Sequence, residues 1–213
     1  MIKQEEKPEK LDISFLPQGF IHPKSQYILG MDVARTGADE SAFVVLEKNQ
    51  FSPNIFICYL ETLKTPDLKS AINRVIFLNK FFNFKKIIID ETGLGAGVSD
   101  VLKGEIGNKV EGIWYTLKSK AELFNNLKLL MIRKEGRLFI PDYNISSNAM
   151  VRKLYYQFLS IHQDMKDGMS TPKFSHDEKQ HDDLVNALAL AASYFDVRKR
   201  LRKIYGLVGI KGR

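Results

Sequence analysis

Short apolar runs separated by polar turns dominate the first half of the chain. Runs at residues 27–33, 42–47, 55–60, 87–90 and 110–115 predict five strands. The first three are joined by short polar turns, which is typical of an antiparallel meander. The last two are separated by longer segments, which favours helical crossovers and strands parallel to the first.

A repeat of apolar residues every 3.6 positions predicts helices between and after these strands. They span about residues 65–82, 98–103, 119–134, 147–159 and 181–202. Ser119 and Glu122 fit a capping box at the start of the third helix. The predicted fold class is α/β: a mixed five-stranded sheet, three antiparallel and then two parallel strands, flanked by helices and completed by a C-terminal helix.

The two ends of the chain differ in composition from its middle. Residues 1–24 mix charges with prolines and predict a tail or linker remnant. Residues 25–203 predict one domain, and residues 204–213 a basic C-terminal tail. Within the domain, Asp167 and Gly168 suggest a hairpin tip. The chain is expected to be either an excised domain or a stand-alone version of one.

Composition narrows the class of protein. The 213 residues are 44% hydrophobic, which is ample for a core, and no apolar run reaches the roughly 20 residues that span a bilayer. The one cysteine, Cys58, excludes an internal disulfide and fits a reducing, cytoplasmic compartment. A formal net charge of +7 favours polyanionic partners, with nucleic acid, anionic membrane and acidic protein as alternatives.

Aspartates stand at three places where a carboxylate needs an explanation. Asp32 lies in the otherwise apolar first strand, Asp90 closes the fourth, and Asp182 and Asp183 open the last helix. Burying an ionised carboxylate without a partner costs several kcal/mol or more, and a divalent cation would compensate for it. Taken singly, Asp90 also fits a turn-forming residue, and either helix aspartate fits a carboxylate favoured by the helix dipole.

Helical geometry favours Asp183 over Asp182 as the inward-facing acid. Asp182 shares its helix face with Asn186 and other polar residues, whereas Asp183 shares its face with Ala187 and Leu190. Small residues in the same helix would also let it lie close to the sheet. The sequence therefore predicts Asp183 at the site and leaves the role of Asp182 open.

Four segments together resemble the nuclease domain of the large terminase subunit of tailed bacteriophages, in the ribonuclease H-like superfamily. They are GMDVARTGADESAFVV, IIIDETGLGAG, SKAELFNNLKLLM with the following LFIP, and KFSHDEKQHDDLVNALALAA. The resemblance covers about residues 25–200. It implies metal-dependent cleavage of double-stranded DNA during genome packaging, with Asp32, Asp90 and Asp183 as the acidic triad. It also implies a packaging ATPase domain, a small terminase subunit and a portal as partners.

Carboxylates that converge repel one another and stay ionised around hard cations, which favours Mg²⁺ or Mn²⁺. Two such ions would serve phosphodiester hydrolysis, with Asp32 bridging both and Asp90 and Asp183 holding one each. Asp182 is a possible further ligand. Glu91 and His181 are adjacent to these acids and either join the site or play a solvated or capping role.

Basic residues supply the candidates for DNA contact. Lys173, Lys120 and Arg35 are predicted to meet phosphates, and the basic run after residue 197 is a further candidate. Nothing resembles a base-reading helix, so sequence preference should be slight. Trp114 falls in a strand, where core packing is expected rather than base stacking.

Three alternatives share this fold class. An actin-like or sugar-kinase ATPase would need two such lobes, and the chain has no GxxxxGK[ST] motif, so ATP hydrolysis is not expected. A non-catalytic DNA-docking module and a Holliday-junction resolvase also stay open as alternatives.

The glycines of ETGLGAG predict a tight turn into a helix, and contact with a phosphate is the alternative.

Overall fold

The computed structural model describes residues 21–34, 40–64, 67–142, 148–165, 171–176 and 181–196. Most of the predicted N-terminal tail, the basic C-terminal tail, Arg35 and the predicted hairpin tip at Asp167 and Gly168 lie outside these residues. The elements in chain order are β1 (Ser25–Asp32), β2 (Ser41–Asn49), β3 (Ile55–Leu63), α1 (Leu68–Phe82), β4 (Lys86–Asp90), α2 (Gly95–Ile106), β5 (Val110–Ile113), α3 (Leu117–Ile132), β6 (Leu138–Phe139), α4 (Ala149–Ser160), β7 (Ile161–Asp164), β8 (Lys173–His176) and α5 (Asp183–Ser193).

The main sheet has six strands in the order β5-β4-β1-β2-β3-β6. The antiparallel meander β1-β2-β3 and the parallel strands β4 and β5 confirm the predicted mixed sheet. The sheet has one more strand than the five predicted, because β6 pairs with β3 in parallel at the edge. Strands β7 and β8 form a separate antiparallel pair.

Alternate residues of β1 serve two different cores, as the two-residue period of a strand requires. Ile28 belongs to the core that includes α3, α4 and α5, and Leu29 belongs to the core that includes α1 and α2. Both residues are fully buried. The sheet is therefore covered by helices on both faces, which explains why its central strands are apolar throughout.

Helix α5 lies directly against β1 at Gly30. A Cβ at Gly30 would stand 1.9 Å from the carbonyl oxygen of Ala187 and 2.6 Å from the backbone nitrogen of Ala191. The predicted close approach of a small-residue helix to the sheet is confirmed. Every residue of α5 from position 184 to 192 is buried, so this helix is a central element with no solvent-facing side along that stretch.

Several helix boundaries differ from the prediction, including those of α2, which spans Gly95–Ile106 instead of residues 98–103. The last helix ends at Ser193 instead of near residue 202. Tyr194 is its C-cap residue, and the backbone turns there, with Phe195 N–H donating to the carbonyl of Ala192. Helix α3 begins at Leu117, and Thr116 and Ser119 form its capping box, so the predicted box of Ser119 and Glu122 is wrong. None of the helices in the described part of the chain is both long and apolar enough to cross a bilayer.

Candidate active site

The predicted acids lie at one edge of the sheet. Asp32 is the last residue of β1, so it ends the strand instead of lying inside it, and Asp90 is the last residue of the neighbouring parallel strand β4. Carboxyl ends of adjacent parallel strands meet at the same edge. Helix α5 packs on β1 and brings Asp182 and Asp183 to the same place. We call Asp32, Asp90, Asp182 and Asp183 the acidic cluster.

The electrostatics of Asp32 show that the four carboxylates interact. Burial raises the pKa of Asp32, and the negative charges of Asp183, Asp90 and Asp182 raise it further. The hydrogen bond from Asn186 acts in the opposite direction, yet the pKa stays well above its ordinary value. Asp32 therefore favours either a proton or a nearby cation.

Asp182 does not serve as a helix cap, although it occupies the N-cap position of α5. Its side chain makes no capping hydrogen bond, and the backbone N–H of Leu184 donates instead to Gln157 Oε1 at 2.9 Å. The carboxylate of Asp182 accepts from Asn186 Nδ2 at 2.9 Å and from Lys120 Nζ at 3.1 Å. Asp182 therefore stands at the start of α5, as predicted, but its side chain bonds to Lys120 and Asn186 instead of capping the helix.

The sequence predicted that Asp183 faces inward, but Asp182 is the more buried of the two aspartates. Asp182 is only 7% exposed, whereas Asp183 is half-buried. The stripe argument fails because α5 is buried on all sides, including the face with Asn186 that was read as polar. The preference for Asp183 as a ligand stays a prediction.

Two further polar groups at the cluster were missed from the sequence. Asn186 Nδ2 donates to Asp32 Oδ2 at 2.9 Å as well as to Asp182, and its Oδ1 is buried with no hydrogen-bond partner among the described residues. The Tyr115 hydroxyl is also buried without such a partner, and burial together with Asp32 and Asp90 raises its pKa. A polar residue four positions after Asp182 in an apolar helix was the available signal for Asn186.

The glycine-rich turn after β4 holds Asp90 in place. Asp90 Oδ1 accepts from the backbone N–H of Thr92 at 2.8 Å, and Thr92 Oγ1 accepts from the N–H of Tyr115 at 2.9 Å. A Cβ at Gly95 would stand 1.7 Å from the carbonyl oxygen of Asp90. The turn reading of these glycines is confirmed, and the same turn ties Asp90 to the end of β5.

The other predicted residues fall at different distances from the cluster. Glu91 forms an ion pair with Lys103 at 2.8 Å, and the hydrogen bond from Lys103 lowers the pKa of Glu91. His181 is exposed, as is Lys173 at the start of β8. Trp114 is 59% exposed, so its predicted core position is wrong: β5 ends at Ile113, one residue before it.

Comparison with solved structures identifies the fold. The nuclease of the large terminase from thermophilic phage G20c, with bound cobalt, matches with a TM-score of 0.63 and 21% identity over 81% of this chain and 82% of that one. The bacteriophage SPP1 large terminase nuclease domain with bound Mn matches at 0.51 and 18%, over 80% and 86%. The large terminase from bacteriophage D6E matches at 0.55 and 16%, over 82% of this chain and 41% of that one.

The chain has the fold of a large terminase nuclease domain. At these identities the likeness establishes the ribonuclease H-like fold, and it covers about the same residues as the resemblance seen in the sequence. No family model and no curated protein matches the sequence.

The donor chemistry of the acidic cluster of this terminase-like fold fits a hard divalent cation. Carboxylates are the ligands that Mg²⁺ and Mn²⁺ prefer, and the buried Asn186 Oδ1 is a further oxygen without a partner in the described structure. Within the described residues, no three acidic, histidine or cysteine side chains are already arranged to hold a metal. In the described structure Asp182 accepts hydrogen bonds from Lys120 and Asn186, and Asp32 accepts one from Asn186.

Proposed function

We propose that this protein is a metal-dependent endonuclease that cleaves double-stranded DNA with little sequence specificity, as in phage genome packaging. The observation that carries the proposal is the convergence of Asp32 and Asp90, at the adjacent ends of β1 and β4, with Asp182 and Asp183 at the start of α5. Burial and the charges of the other three carboxylates raise the pKa of Asp32 accordingly. Groups of like charge with strongly shifted pKa values occur more often at functional sites than elsewhere in proteins. The match to terminase nuclease structures supports the same reading.

Asp32, Asp90 and Asp183 are proposed to hold two Mg²⁺ or Mn²⁺ ions, with Asp182 as a possible further ligand. Bound there, the ions would supply Lewis-acid stabilisation of the negative charge that develops on the scissile phosphodiester. The protein's own part is to hold the carboxylates. Asn186 fixes one oxygen of Asp32, the N–H of Thr92 fixes one oxygen of Asp90, and α5 closes the site from behind against β1.

Double-stranded DNA is the proposed partner at this edge. The net charge of +7 supports contact with a polyanion, and Lys173 and Arg35 stay candidates for phosphate contact. Trp114 is exposed and directly precedes Tyr115 in the chain. The packaging ATPase, the small terminase subunit and the portal are proposed partners on the strength of the fold.

Cleavage of supercoiled plasmid tests the proposal. We expect nicked and linear products with Mn²⁺ or Mg²⁺, and no products with EDTA. Asp90→Asn should abolish cleavage, whereas Asp100→Asn should retain it, because Asp100 is an exposed acid outside the cluster. Equal cleavage by Asp90→Asn and the wild type would contradict the proposal. Preference for a four-way junction over linear duplex would indicate a resolvase instead.

A non-catalytic DNA-docking module is the second candidate. It is favoured by one observation: Lys120 and Asn186 already engage two of the carboxylates, and no ready metal site exists among the described residues. In that case the wild type would bind duplex DNA without cutting it at any Mn²⁺ concentration. The plasmid assay together with a DNA-binding measurement separates the two functions.

A further inference from the structure

Four polar side chains form a continuous hydrogen-bonded series across the acidic cluster. Lys120 Nζ donates to Asp182 Oδ2 at 3.1 Å, and Asn186 Nδ2 donates to Asp182 Oδ1 and to Asp32 Oδ2, both at 2.9 Å. An amide nitrogen carries two hydrogens, so Asn186 has one for each carboxylate. The series therefore links a cation on α3 to the acid at the end of β1.

Lys120 is held by its surroundings and is not an ordinary surface lysine. Its side chain is 24% exposed, and its ammonium lies 5.5 Å from the ring centre of Phe124 and 5.9 Å from that of Tyr115. Both distances fall within the range of cation–π attraction. The neighbouring Lys118, on the same helix, is exposed. Lys120 is thus aimed into the cluster, where it supplies one positive charge.

Asp182 is buried without capping α5. It is 7% exposed, and α5 does not need it as a cap because Gln157 satisfies the backbone N–H of Leu184. Both of its oxygens are engaged by side chains, and His176 Nε2 stands 3.9 Å from Oδ1. Both oxygens of Asp182 are thus already occupied by side-chain donors, whereas Asp183 is half-buried.

We propose that Lys120, Asp182 and Asn186 form a positioning triad that orients Asp32, so that Asp182 supports the metal ligands instead of binding metal itself. The proposal rests on the proposed nuclease function, in which Asp32, Asp90 and Asp183 hold the cations. Lys120 offsets the charge of Asp182 through their ion pair. Asn186 donates one hydrogen bond to Asp182 and one to Asp32, and so holds the Asp32 side chain at a fixed place relative to this ion pair.

The test measures Mn²⁺ binding by calorimetry and thermal unfolding in EDTA for one set of variants. Asp183→Asn should weaken Mn²⁺ binding at least about a hundredfold, because it removes a ligand. Asp182→Asn and Lys120→Met should each weaken it only about tenfold, as loss of an outer positioning contact does. Lys118→Met, the matched control on the same helix, should leave both Mn²⁺ affinity and the unfolding midpoint unchanged.

The double variant Lys120→Met/Asp182→Asn separates a positioning pair from two independent residues. Each single variant leaves one buried charge uncompensated and should lower the unfolding midpoint, whereas the double variant should regain most of that loss. Its Mn²⁺ affinity should equal that of either single variant instead of showing the product of the two effects. Additive losses in the double variant would overturn the triad.

Two further outcomes would overturn the assignment while leaving the nuclease proposal intact. One is abolition of Mn²⁺ binding by Asp182→Asn with binding retained in Asp183→Asn. The other is tighter Mn²⁺ binding in Lys120→Met, which would make Lys120 a competitor of the metal. A wild type that neither binds Mn²⁺ nor cleaves DNA would instead overturn the nuclease function and, with it, the metal-binding role of Asp183.

Discussion

Two polar clusters of this protein, the arginine cluster and the acidic cluster, differ in whether their charges are balanced. In the arginine cluster, formed by Tyr59, Glu61 and Arg74, both oxygens of Glu61 are bound by the Arg74 guanidinium, at 2.7 and 2.8 Å. The Tyr59 hydroxyl donates to Glu61 and accepts from Arg74. Each charge has a partner of opposite sign, and the geometry is bidentate.

The acidic cluster has four carboxylates, and an ion pair links Lys120 to one of them, Asp182. Two buried polar atoms beside it, Asn186 Oδ1 and the Tyr115 hydroxyl, have no hydrogen-bond partner among the described residues. Folding stability alone would select against such an arrangement. The contrast teaches that the arginine cluster balances its charges within the fold, whereas the acidic cluster collects like charges, as the proposed metal site would.

The largest expected effect comes from Asp32→Asn. It should reduce plasmid cleavage at least about a thousandfold, because Asp32 is the carboxylate proposed to serve both metal ions. In EDTA its unfolding midpoint should equal or exceed that of the wild type, since repulsion among the carboxylates is relieved. Rates of plasmid nicking and melting curves measure both. A midpoint well below that of the wild type would make Asp32 a structural residue.

Gly30→Ala tests whether the close approach of α5 to β1 assembles the acidic cluster. The added Cβ would meet backbone atoms of Ala187 and Ala191, which cannot move aside as a flexible side chain can. We expect a stability loss of about 3 kcal/mol from overpacking, with reduced cleavage by the protein that stays folded. Chemical denaturation and nicking rates measure these. Gly97→Ala, at an open position, is the control.

Arg74→Met should affect the arginine cluster alone. Leaving Glu61 without its guanidinium partner should lower the free energy of unfolding by about 2 kcal/mol, less than for a fully buried pair because these side chains retain some exposure. Cleavage per folded molecule should stay at the wild-type level. Loss of cleavage without loss of stability would remove the distinction between the two clusters.

The smallest expected effect is the pH dependence of stability without metal. Because the pKa of Asp32 is raised in the folded state, the folded protein holds this proton more tightly than the unfolded chain does. Stability from this group is therefore present below about pH 4 and is lost as pH rises through the folded-state pKa. Melting curves in EDTA should show a flatter profile for Asp32→Asn than for the wild type.

Local patterns in the sequence were sufficient for most of the fold. Apolar runs located the five main strands, and the position of Asp90 at the end of a parallel strand followed from the length of the crossovers. Strand β6 was seen only as an extended piece, because two residues carry no period and its pairing with β3 depends on tertiary contact. The end of α5 was missed because its apolar repeat continues past Ser193 while the backbone turns.

The site was predicted in its acids and missed in its other polar groups. Asp32, Asp90 and Asp183 stood out because a carboxylate in or beside an apolar run is unusual on its own. Asn186 and Tyr115 did not, because an amide or a phenol is common in helices and strand ends. Lys120 was read as a phosphate contact, and its pairing with Asp182 across 62 positions is not visible in local sequence.

The most direct test of a metal site at the acidic cluster is anomalous diffraction from a crystal soaked in Mn²⁺. We expect Mn²⁺ peaks within ligand distance of Asp32, Asp90 and Asp183, with Asp182 still bound by Lys120. Absence of Mn²⁺ from this cluster in a saturated soak would contradict the account.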